Sequence, residues 1–445
     1  MSGNIKQAAA AARRASQLLA TTPEAVRDEA LAAIAAGLEA ARERIETANA
    51  EDLQAAAQMV ADGELARPLV KRLNIAGGKF AAIVEMVGAV ASQPDPLGVT
   101  QAATELAESL ELYRVSVPIG VLGVIFESRP DALVQIAALC LKSGNAVLLK
   151  GGKEALRTNQ VLAEVIAGAA AGVSGIPEGW LYLLESRDDV RAMLDEDESI
   201  DLIIPRGGNE FVRYIMENTR IPVMGHADGV CHVYVDSHAD LDKAVRVVVD
   251  SKTQYVAVCN AAETLLVHAD IAERFFAVAC EALSARGVEI RGDERTRGMI
   301  SGNGKVTPAT EADWGYEYLD LVLAVKVVDR LDEAVEHINR YGSHHTDAII
   351  TEDREAASRF LAAVDSASVT HNASTRFADG FRYGLGAEVG ISTNRLHSRG
   401  PVGLEGLTIY KFMLMGDGHT VDDFEGGQPQ GYTHRPLAKT WEFDI

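Results

Sequence analysis

Four cysteines are the side chains best suited to act as nucleophiles: Cys140, Cys231, Cys259 and Cys280. None is spaced from another as metal ligands or a redox pair would be. Cys259 differs in its setting, because the segment Lys252–Asn260 predicts a turn ahead of a strand over Thr264–Val267. A thiolate in a turn is a competent nucleophile. A lone cysteine is more often a small buried apolar residue, and this segment alone favours that interpretation.

Two glycine turns carry cationic side chains directly after predicted strands. The first is Leu148–Lys153, which contains Lys150, Gly151 and Gly152, and the second is Pro205–Asn209. Glycine lets the backbone approach an anion closely, and the helix that follows presents its N-terminus to it. Either turn alone is also typical of a solvated loop, but the pair predicts a site for a phosphate-bearing cofactor.

Two further segments hold arginines. Arg129, within Phe126–Asp131, follows the first predicted strand, where its guanidinium suits a phosphate or carboxylate. Pairing with Glu127 or Asp131 is the alternative. The polar segment His371–Phe377 also ends near an arginine, and it suits either an amino-acid head group or a helix cap.

The elements that must position these residues follow from hydrophobic patterning. Residues 1–92 are rich in helix formers, with breaks near 21–23 and 62–63. From Val121 onward, short apolar runs alternate with helical segments, which predicts a parallel, doubly wound sheet. Ligands on such sheets bind beyond the carboxyl ends of the strands. Residues 236–386 predict a second α/β unit, and residues 104–117 with the tail predict an antiparallel flap.

Composition limits the function. The 445 residues carry a net charge of -22, which argues against a nucleic-acid partner. No apolar run is long enough to cross a bilayer, and the N-terminus lacks an apolar signal core. We therefore expect a cytoplasmic protein with no membrane partner.

Together these segments resemble the γ-glutamyl phosphate reductases, a family within the aldehyde dehydrogenase superfamily. The matching stretches are residues 117–155, 200–212, 224–236, 259–266, 345–351 and, the longest, 372–407. The resemblance implies an aldehyde dehydrogenase-like α/β fold with a Rossmann-type cofactor domain. The expected domains are an NADP-binding domain (1–103 and 118–235, with part of 387–410), a catalytic domain (236–386) and an oligomerisation flap (104–117 and 411–445).

The resemblance also implies roles for single residues. Cys259 would be the nucleophile, with Arg129 or Asn260 assisting at the oxyanion. Lys153 stands where NAD-preferring relatives have a glutamate, so NADPH is the expected cofactor. Together with the glycine turns, the expected cofactor contacts are Lys150, Gly152, Lys153, Arg206, Gly207, Gly208 and Glu317. The expected substrate contacts are Arg129, Asn372, Ser374 and Arg376, and no metal is expected.

The implied activity is NADPH-dependent reduction of L-glutamate 5-phosphate to L-glutamate 5-semialdehyde and phosphate through a cysteine thioester, the second step of proline biosynthesis. Hydrolytic relatives carry a water-activating glutamate where this chain has residues 225–228, so hydrolysis is not expected. A homo-oligomer and transient contact with a glutamate 5-kinase are further expectations. Three alternatives stay open: another acyl phosphate (N-acetylated or aspartyl), a hydrolytic aldehyde dehydrogenase, and a non-catalytic scaffold. Val256, where relatives have proline, is a departure beside the cysteine turn.

Overall fold

The computed structural model describes residues 2–65, 67–207, 209–226, 228–300, 306–425 and 431–442, so the predicted site residue Gly208 lies outside the described residues. The chain divides into two units. The first contains Met1–Met224, Leu385–Gly390 and Val402–Ile445, and the second contains Gly225–Gly384 and Ile391–Pro401.

Helices form the N-terminal part of the first unit, as its composition predicts. They are α1 (Ser2–Leu19), α2 (Glu24–Ala40), α3 (Arg42–Ala61), α4 (Arg67–Leu73) and α5 (Gly78–Ala91). Helix α2 begins directly after Pro23 and buries Leu31, Ile34 and Leu38 along one face. This spacing of three and four residues is that of an amphipathic helix packed on a core. The predicted breaks between helices are confirmed.

A hairpin follows, made of β1 (Thr100–Ala107) and β2 (Leu110–Pro118), which pair antiparallel. The turn between them contains Ser109 in the left-handed region, with φ 61°. The predicted strand region, residues 104–117, covers only part of this hairpin, which begins earlier at Thr100.

The first parallel sheet contains four strands in the order β5-β4-β3-β6. Its elements are β3 (Val121–Phe126), α6 (Pro130–Lys142), β4 (Ala146–Lys150), α7 (Leu156–Ala171), β5 (Leu181–Leu184), α8 (Arg187–Leu194), β6 (Leu202–Arg206) and α9 (Asn209–Glu217). Every residue of β3 and β4 is buried, which explains their unbroken apolar sequences. The chain runs from β3 outward to β5 and returns on the other side of β3 as β6. A ligand crevice is expected at the carboxyl ends where this reversal occurs.

The second unit contains a seven-stranded parallel sheet in the order β10-β9-β11-β8-β7-β12-β13. Its elements are β7 (Cys231–Val235), α10 (Leu241–Thr253), β8 (Ala262–His268), α11 (Ala269–Ser284), β9 (Glu289–Gly292), α12 (Glu294–Met299), β10 (Val306–Pro308), β11 (Val322–Val328), α13 (Leu331–Tyr341), β12 (Thr346–Ile350), α14 (Arg354–Ala363) and β13 (Ser368–His371). A small antiparallel pair, β14 (Ile391–Ser392) and β15 (Gly400–Pro401), completes this unit.

Two segments differ from the predicted division of the chain. The prediction assigned residues up to 235 to the first domain, but β7 hydrogen-bonds to β8 and β12 in the second unit's sheet. Residues Ile391–Pro401 also belong to the second unit, although the prediction grouped part of 387–410 with the first. The roles assigned to the two domains stay predictions.

The tail completes the antiparallel flap with β16 (Thr408–Met415), α15 (Asp422–Glu425) and β17 (Arg435–Pro436). The sheet order is β16-β2-β1-β17, so β16 is an edge strand. It begins at Thr408, a little before the predicted 411, and precedes the Gly- and Asp-rich residues of the tail. Among the described residues, no helix combines the length and the apolar character that spanning a membrane requires.

Candidate active site

Cys259 lies in a turn between α10 and β8, at the amino edge of the second unit's sheet. The N–H of Ala261 donates to the Val258 carbonyl at 3.1 Å, which closes this turn. The cysteine is partly exposed and not in a disulfide. The predicted turn ahead of a strand is therefore present, and it leaves the thiol accessible.

The other three cysteines are poor candidates for the nucleophile. Burial raises the pKa of the Cys140 and Cys231 thiols well above the usual range. Burial also raises the pKa of Cys280, on α11, to about 11. Because the thiolate is the reactive form, burial makes these three thiols less suited to act as nucleophiles than Cys259.

Neighbouring groups hold the backbone of the cysteine turn. The Cys231 thiol donates to the Cys259 carbonyl at 3.2 Å. The Asn260 side-chain amide donates to the Ala378 carbonyl at 2.8 Å, and the Asn260 carbonyl accepts from Thr375 Oγ1 at 2.7 Å. The amide predicted to assist at the oxyanion therefore also anchors the turn, and its catalytic role stays a prediction.

Gly229 packs directly against the turn. A Cβ atom at this position would lie 2.3 Å from the Cys259 carbonyl oxygen and 2.4 Å from its Cα. Both are backbone atoms, which cannot rotate away as a flexible side chain can. Any larger residue here would displace the cysteine itself.

A buried ion pair joins the two ends of the cysteine segment. Lys252, at the end of α10, contacts Glu263, at the start of β8, with an Nζ–Oε2 distance of 2.5 Å. Both side chains are fully buried. Burial raises the pKa of Glu263 to about 7, opposed by the ammonium of Lys252 and reinforced by the nearby carboxylate of Glu317. Glu317, a predicted cofactor contact, thus lies near the base of this turn.

Three predicted substrate contacts occupy the segment that follows β13. Asn372 has φ 53°, and its side chain brackets Thr351, accepting from its N–H and donating to its carbonyl, both at 3.0 Å. Ser374 Oγ accepts from Ser251 Oγ at 3.1 Å, so it ties the segment to α10. These contacts organise the backbone around Arg376.

Of these three residues, only Arg376 is charged, and it interacts electrostatically with Cys259. Its Nε donates to Gln254 Oε1 at 3.0 Å, which directs the guanidinium alongside the turn. Burial lowers the pKa of Arg376, while a Cys259 thiolate would raise it, so the two groups are electrostatically coupled.

The first unit brings its predicted cofactor residues to one edge. Lys150 ends β4, and its ammonium donates to the Gly151 carbonyl. Burial lowers the pKa of Lys150, against the opposing effect of Glu154. A Cβ atom at Gly151 would lie 2.1 Å from Asn159 Nδ2, and one at Gly152 would lie 1.9 Å from a Glu154 carboxylate oxygen. A side chain at Gly151 would meet Asn159, and one at Gly152 would fit only if the Glu154 carboxylate moved aside.

Three further cations lie at the same carboxyl edge. Arg129 follows β3 and pairs with Asp131 at 2.9 Å, which is one of the two pairings considered from the sequence. Arg206 ends β6, and Lys153 forms an exposed ion pair with Glu64 at 2.9 Å. Because β3 pairs with both β4 and β6 in parallel, all of these residues follow neighbouring strands.

Known proteins match this chain over almost its full length. The aldehyde dehydrogenase family model matches residues 2–298. The γ-glutamyl phosphate reductase of Pelotomaculum thermopropionicum is 55% identical over 438 residues, covering 98% of this chain and 99% of that one. The enzyme of the same name from Natronomonas pharaonis is 52% identical over 431 residues, covering 97% of each.

The chain belongs to the γ-glutamyl phosphate reductase family. The crystal structure of the γ-glutamyl phosphate reductase of Thermotoga maritima superposes with a TM-score of 0.89 at 40% identity, covering 94% of this chain and 99% of that chain. An acetylating aldehyde dehydrogenase from Geobacillus thermoglucosidasius shares the fold, with a TM-score of 0.64 at 17% identity over 94% of this chain and 98% of that one. The predicted family and fold class are confirmed.

Several residues around Cys259 escaped the sequence analysis as site residues. They are His226, Gly229, Cys231, Glu263 and His345. Each lies within one of the stretches that carry the family resemblance, or directly beside a residue quoted for its chemistry. The sequence offered only their membership of those stretches as a signal, because the order that makes β8, β7 and β12 neighbours is seen in the structure alone.

Proposed function

We propose that this chain is a γ-glutamyl phosphate reductase, which reduces L-glutamate 5-phosphate to L-glutamate 5-semialdehyde and releases phosphate. The observation that carries the proposal is the match of more than half of all residues, over almost the full length, to enzymes of that name. The accessible thiol in a fixed turn supports it, because acyl transfer to a protein requires a positioned nucleophile.

Cys259 is the proposed nucleophile. Its thiolate attacks the carbonyl carbon of the acyl phosphate, the carbon–sulfur bond forms, and phosphate leaves with the electrons of the carbon–oxygen bond. Backbone N–H groups of the turn, Asn260 and Arg129 are the proposed donors to the oxyanion. Reduction gives a thiohemiacetal on the sulfur, whose collapse releases the aldehyde and restores the thiolate. Residues 225–228 contain no glutamate, the residue that activates water in hydrolytic relatives. This supports reduction over hydrolysis.

A nicotinamide cofactor supplies the hydride when bound. The carboxyl edge of the first sheet fits such a group, since Gly151 and Gly152 leave a cradle that side chains would fill. Lys150, Gly152, Arg206 and the turn at Gly207–Gly208 are its proposed contacts. Glu317 is the proposed contact to the nicotinamide ribose. The chain's contribution is alignment and charge complementarity.

NADPH is the proposed form of the cofactor. Lys153 places an exposed ammonium at the same edge, where a 2′-phosphate would gain an ionic contact. Glu64 now neutralises that ammonium, at 2.9 Å. Binding of the 2′-phosphate therefore exchanges one anionic partner of Lys153 for another.

Arg376 is the proposed anchor for the substrate, with Asn372 and Ser374 holding its segment. Its guanidinium lies by the nucleophile and is largely buried, so a carboxylate paired with it is shielded from water. Arg129 is the proposed contact to the phosphate of the substrate.

We also propose that the flap mediates homo-oligomer formation. Tyr410, Phe412 and Leu414 alternate along the edge strand β16 and are exposed. Alternate residues of a strand share one face, so these three form an uncovered apolar stripe. Transient contact with a glutamate 5-kinase is a further proposal, because the proposed substrate is an acyl phosphate, which a kinase reaction forms.

The reverse reaction tests the proposed function. The purified chain is mixed with L-glutamate 5-semialdehyde, NADP⁺ and inorganic phosphate, and the absorbance of NADPH is followed. We expect reduction of NADP⁺ that requires phosphate. Equal rates without phosphate would identify a hydrolytic aldehyde dehydrogenase instead. Faster turnover of an aspartyl or N-acetylated semialdehyde would change the substrate, and no turnover of any of them would favour a scaffold.

A further inference from the structure

Three metal-binding side chains converge at the amino edge of the second sheet. One ring nitrogen of His226, one of His345 and the Sγ atom of Cys259 all lie within 4.8 Å of one another. Among the described residues, no other group of three or more His, Cys, Asp or Glu side chains lies close enough together to hold a metal ion. No metal was expected at these residues from the sequence.

Strand order explains why these residues meet. His226 precedes β7, Cys259 precedes β8, and His345 immediately precedes β12. Strands β8, β7 and β12 are consecutive neighbours and all run parallel, so their amino ends lie at one edge. The cluster is therefore fixed by the central strands of the sheet.

His345, which precedes β12, is buried within this cluster. His345 is fully buried, and its Nε2 atom has no hydrogen-bond partner among the described residues. Its Nδ1 atom lies 2.8 Å from Thr346 Oγ1. A buried ring nitrogen without a partner carries a desolvation cost that a bound cation would remove.

The tautomer of His226 is set by the backbone. Its Nδ1 atom lies 2.8 Å from the Ile391 carbonyl, which can only accept, so Nδ1 carries the proton and donates. The lone pair of the neutral ring is then on Nε2. Metal-binding histidines are typically oriented in this way, by a carbonyl that holds the other ring nitrogen. The two imidazoles lie edge to face, with ring centroids 4.9 Å apart.

We propose that His226, Cys259 and His345 form a Zn²⁺ site that masks the nucleophile. Zinc takes nitrogen and sulfur ligands in tetrahedral geometry, with bond lengths that separate ligand atoms by about 3.3–3.6 Å. To reach that range from separations of up to 4.8 Å, the three atoms would approach one another by about an ångström on binding. The fourth position is left to water, because His226 and Cys259 are partly exposed.

Binding exchanges a proton for the metal. The Cys259 thiol loses its proton to solvent as the sulfur–zinc bond forms, and both imidazoles bind as neutral ligands. The sulfur lone pair that would attack an acyl carbon is then donated to the metal. Inhibition of the reductase by Zn²⁺, reversed by a chelator, follows from this and rests on the proposed function. The existence of the metal site does not depend on the proposed function.

Cobalt titration tests the site without substrate. Co²⁺ is added to the full chain, and we expect one equivalent to produce a thiolate-to-cobalt charge-transfer band with the visible bands of tetrahedral Co²⁺. Zn²⁺ should abolish these bands by displacement. Cys259→Ser should remove the charge-transfer band, whereas the matched variant Cys280→Ser should keep it. Absence of a stoichiometric band, or a band that survives in Cys259→Ser, would overturn the proposal.

The histidines are tested by variants that keep their backbone contacts. Asparagine can replace the Nδ1 donor of each ring but supplies no Nε2 ligand. His226→Asn and His345→Asn should each weaken Co²⁺ and Zn²⁺ binding by at least about tenfold. His238→Asn, at an exposed histidine, is the control and should leave binding unchanged. If His345→Asn does not fold, His226→Asn decides the matter, and unaltered affinity in that variant refutes the site. Because these spectra need no turnover, failure of the proposed reductase activity leaves this test intact.

Discussion

The two parallel sheets present their candidate residues at opposite edges. In the first unit, Lys150 and Arg206 end strands at the carboxyl edge, where glycine turns and helix N-termini favour anions. In the second unit, His226, Cys259 and His345 precede strands at the amino edge. In the first region, the candidate cofactor site is formed mainly by backbone at glycines, which have no side chain. In the second region, the candidate site is formed by side chains packed against the backbone of the cysteine turn. The two regions should therefore respond differently to substitution.

The largest expected effect separates chemistry from cofactor binding. Cys259→Ser should lower reductase turnover by more than about a thousandfold, because the hydroxyl is a far weaker nucleophile than the thiolate. NADPH affinity, measured by fluorescence titration, should stay within about twofold because the proposed cofactor contacts lie on other residues. Cys280→Ser is the control and should retain activity. Wild-type turnover by Cys259→Ser would remove this residue from the mechanism.

The buried ion pair beneath the cysteine turn gives the next effect. Glu263→Gln should lower the free energy of unfolding by about 3–5 kcal/mol, because it leaves the Lys252 ammonium buried without its counter-charge. Urea unfolding would measure this change. The double variant Lys252→Met with Glu263→Leu should recover most of the loss. If the double variant is as unstable as the single one, the pair stabilises this unit by something other than charge compensation.

Two glycine substitutions compare the kinetic role of the cysteine turn with that of the candidate cofactor site. Gly229→Ala should lower kcat by about a hundredfold, because the new Cβ meets the Cys259 backbone and shifts the nucleophile. Gly152→Ala meets only the Glu154 carboxylate, which can rotate, so it should raise the KM for the cofactor and change kcat less. Steady-state kinetics with the cofactor varied distinguishes these patterns. Identical kinetic changes in both variants would contradict the contrast.

The smallest effect concerns the choice of cofactor. Lys153→Glu should raise the KM for NADPH by about tenfold and leave that for NADH nearly unchanged, because only NADPH carries the 2′-phosphate that the ammonium would bind. Steady-state assays with both cofactors measure this ratio, with Lys6→Glu on α1 as a control of equal charge. Parallel changes for NADPH and NADH would take Lys153 out of the phosphate contact.

Local pattern was sufficient for much of the fold. The helices of residues 1–92 and strands β3, β4 and β8 follow from periodicity and from unbroken apolar runs. Strand β7 was missed because His232, a polar residue, interrupts a short apolar run of only five residues. Strands β9 and β10 are short, with polar or partly exposed residues, and carry little hydrophobic signal.

The site was only partly accessible from sequence, for a physical reason. Cys259, Lys150 and Arg376 were predicted from their segments only together with the family resemblance, and their roles stay predictions. The meeting of His226 and His345 at the cysteine depends on the order of β8, β7 and β12, which no local segment encodes. Likewise, Asn372 is typical of a ligand-binding polar turn, but only tertiary contacts show that it brackets Thr351.

The edge strand β16 has a consequence for how stability is measured. Its exposed Tyr410, Phe412 and Leu414 form an apolar stripe on a strand that, among the described residues, pairs with another strand on one side only. If a second copy covers this stripe, mass action links folding to association. The melting temperature would then rise with protein concentration, and a Tm quoted for this chain would have meaning only together with the concentration at which it was recorded.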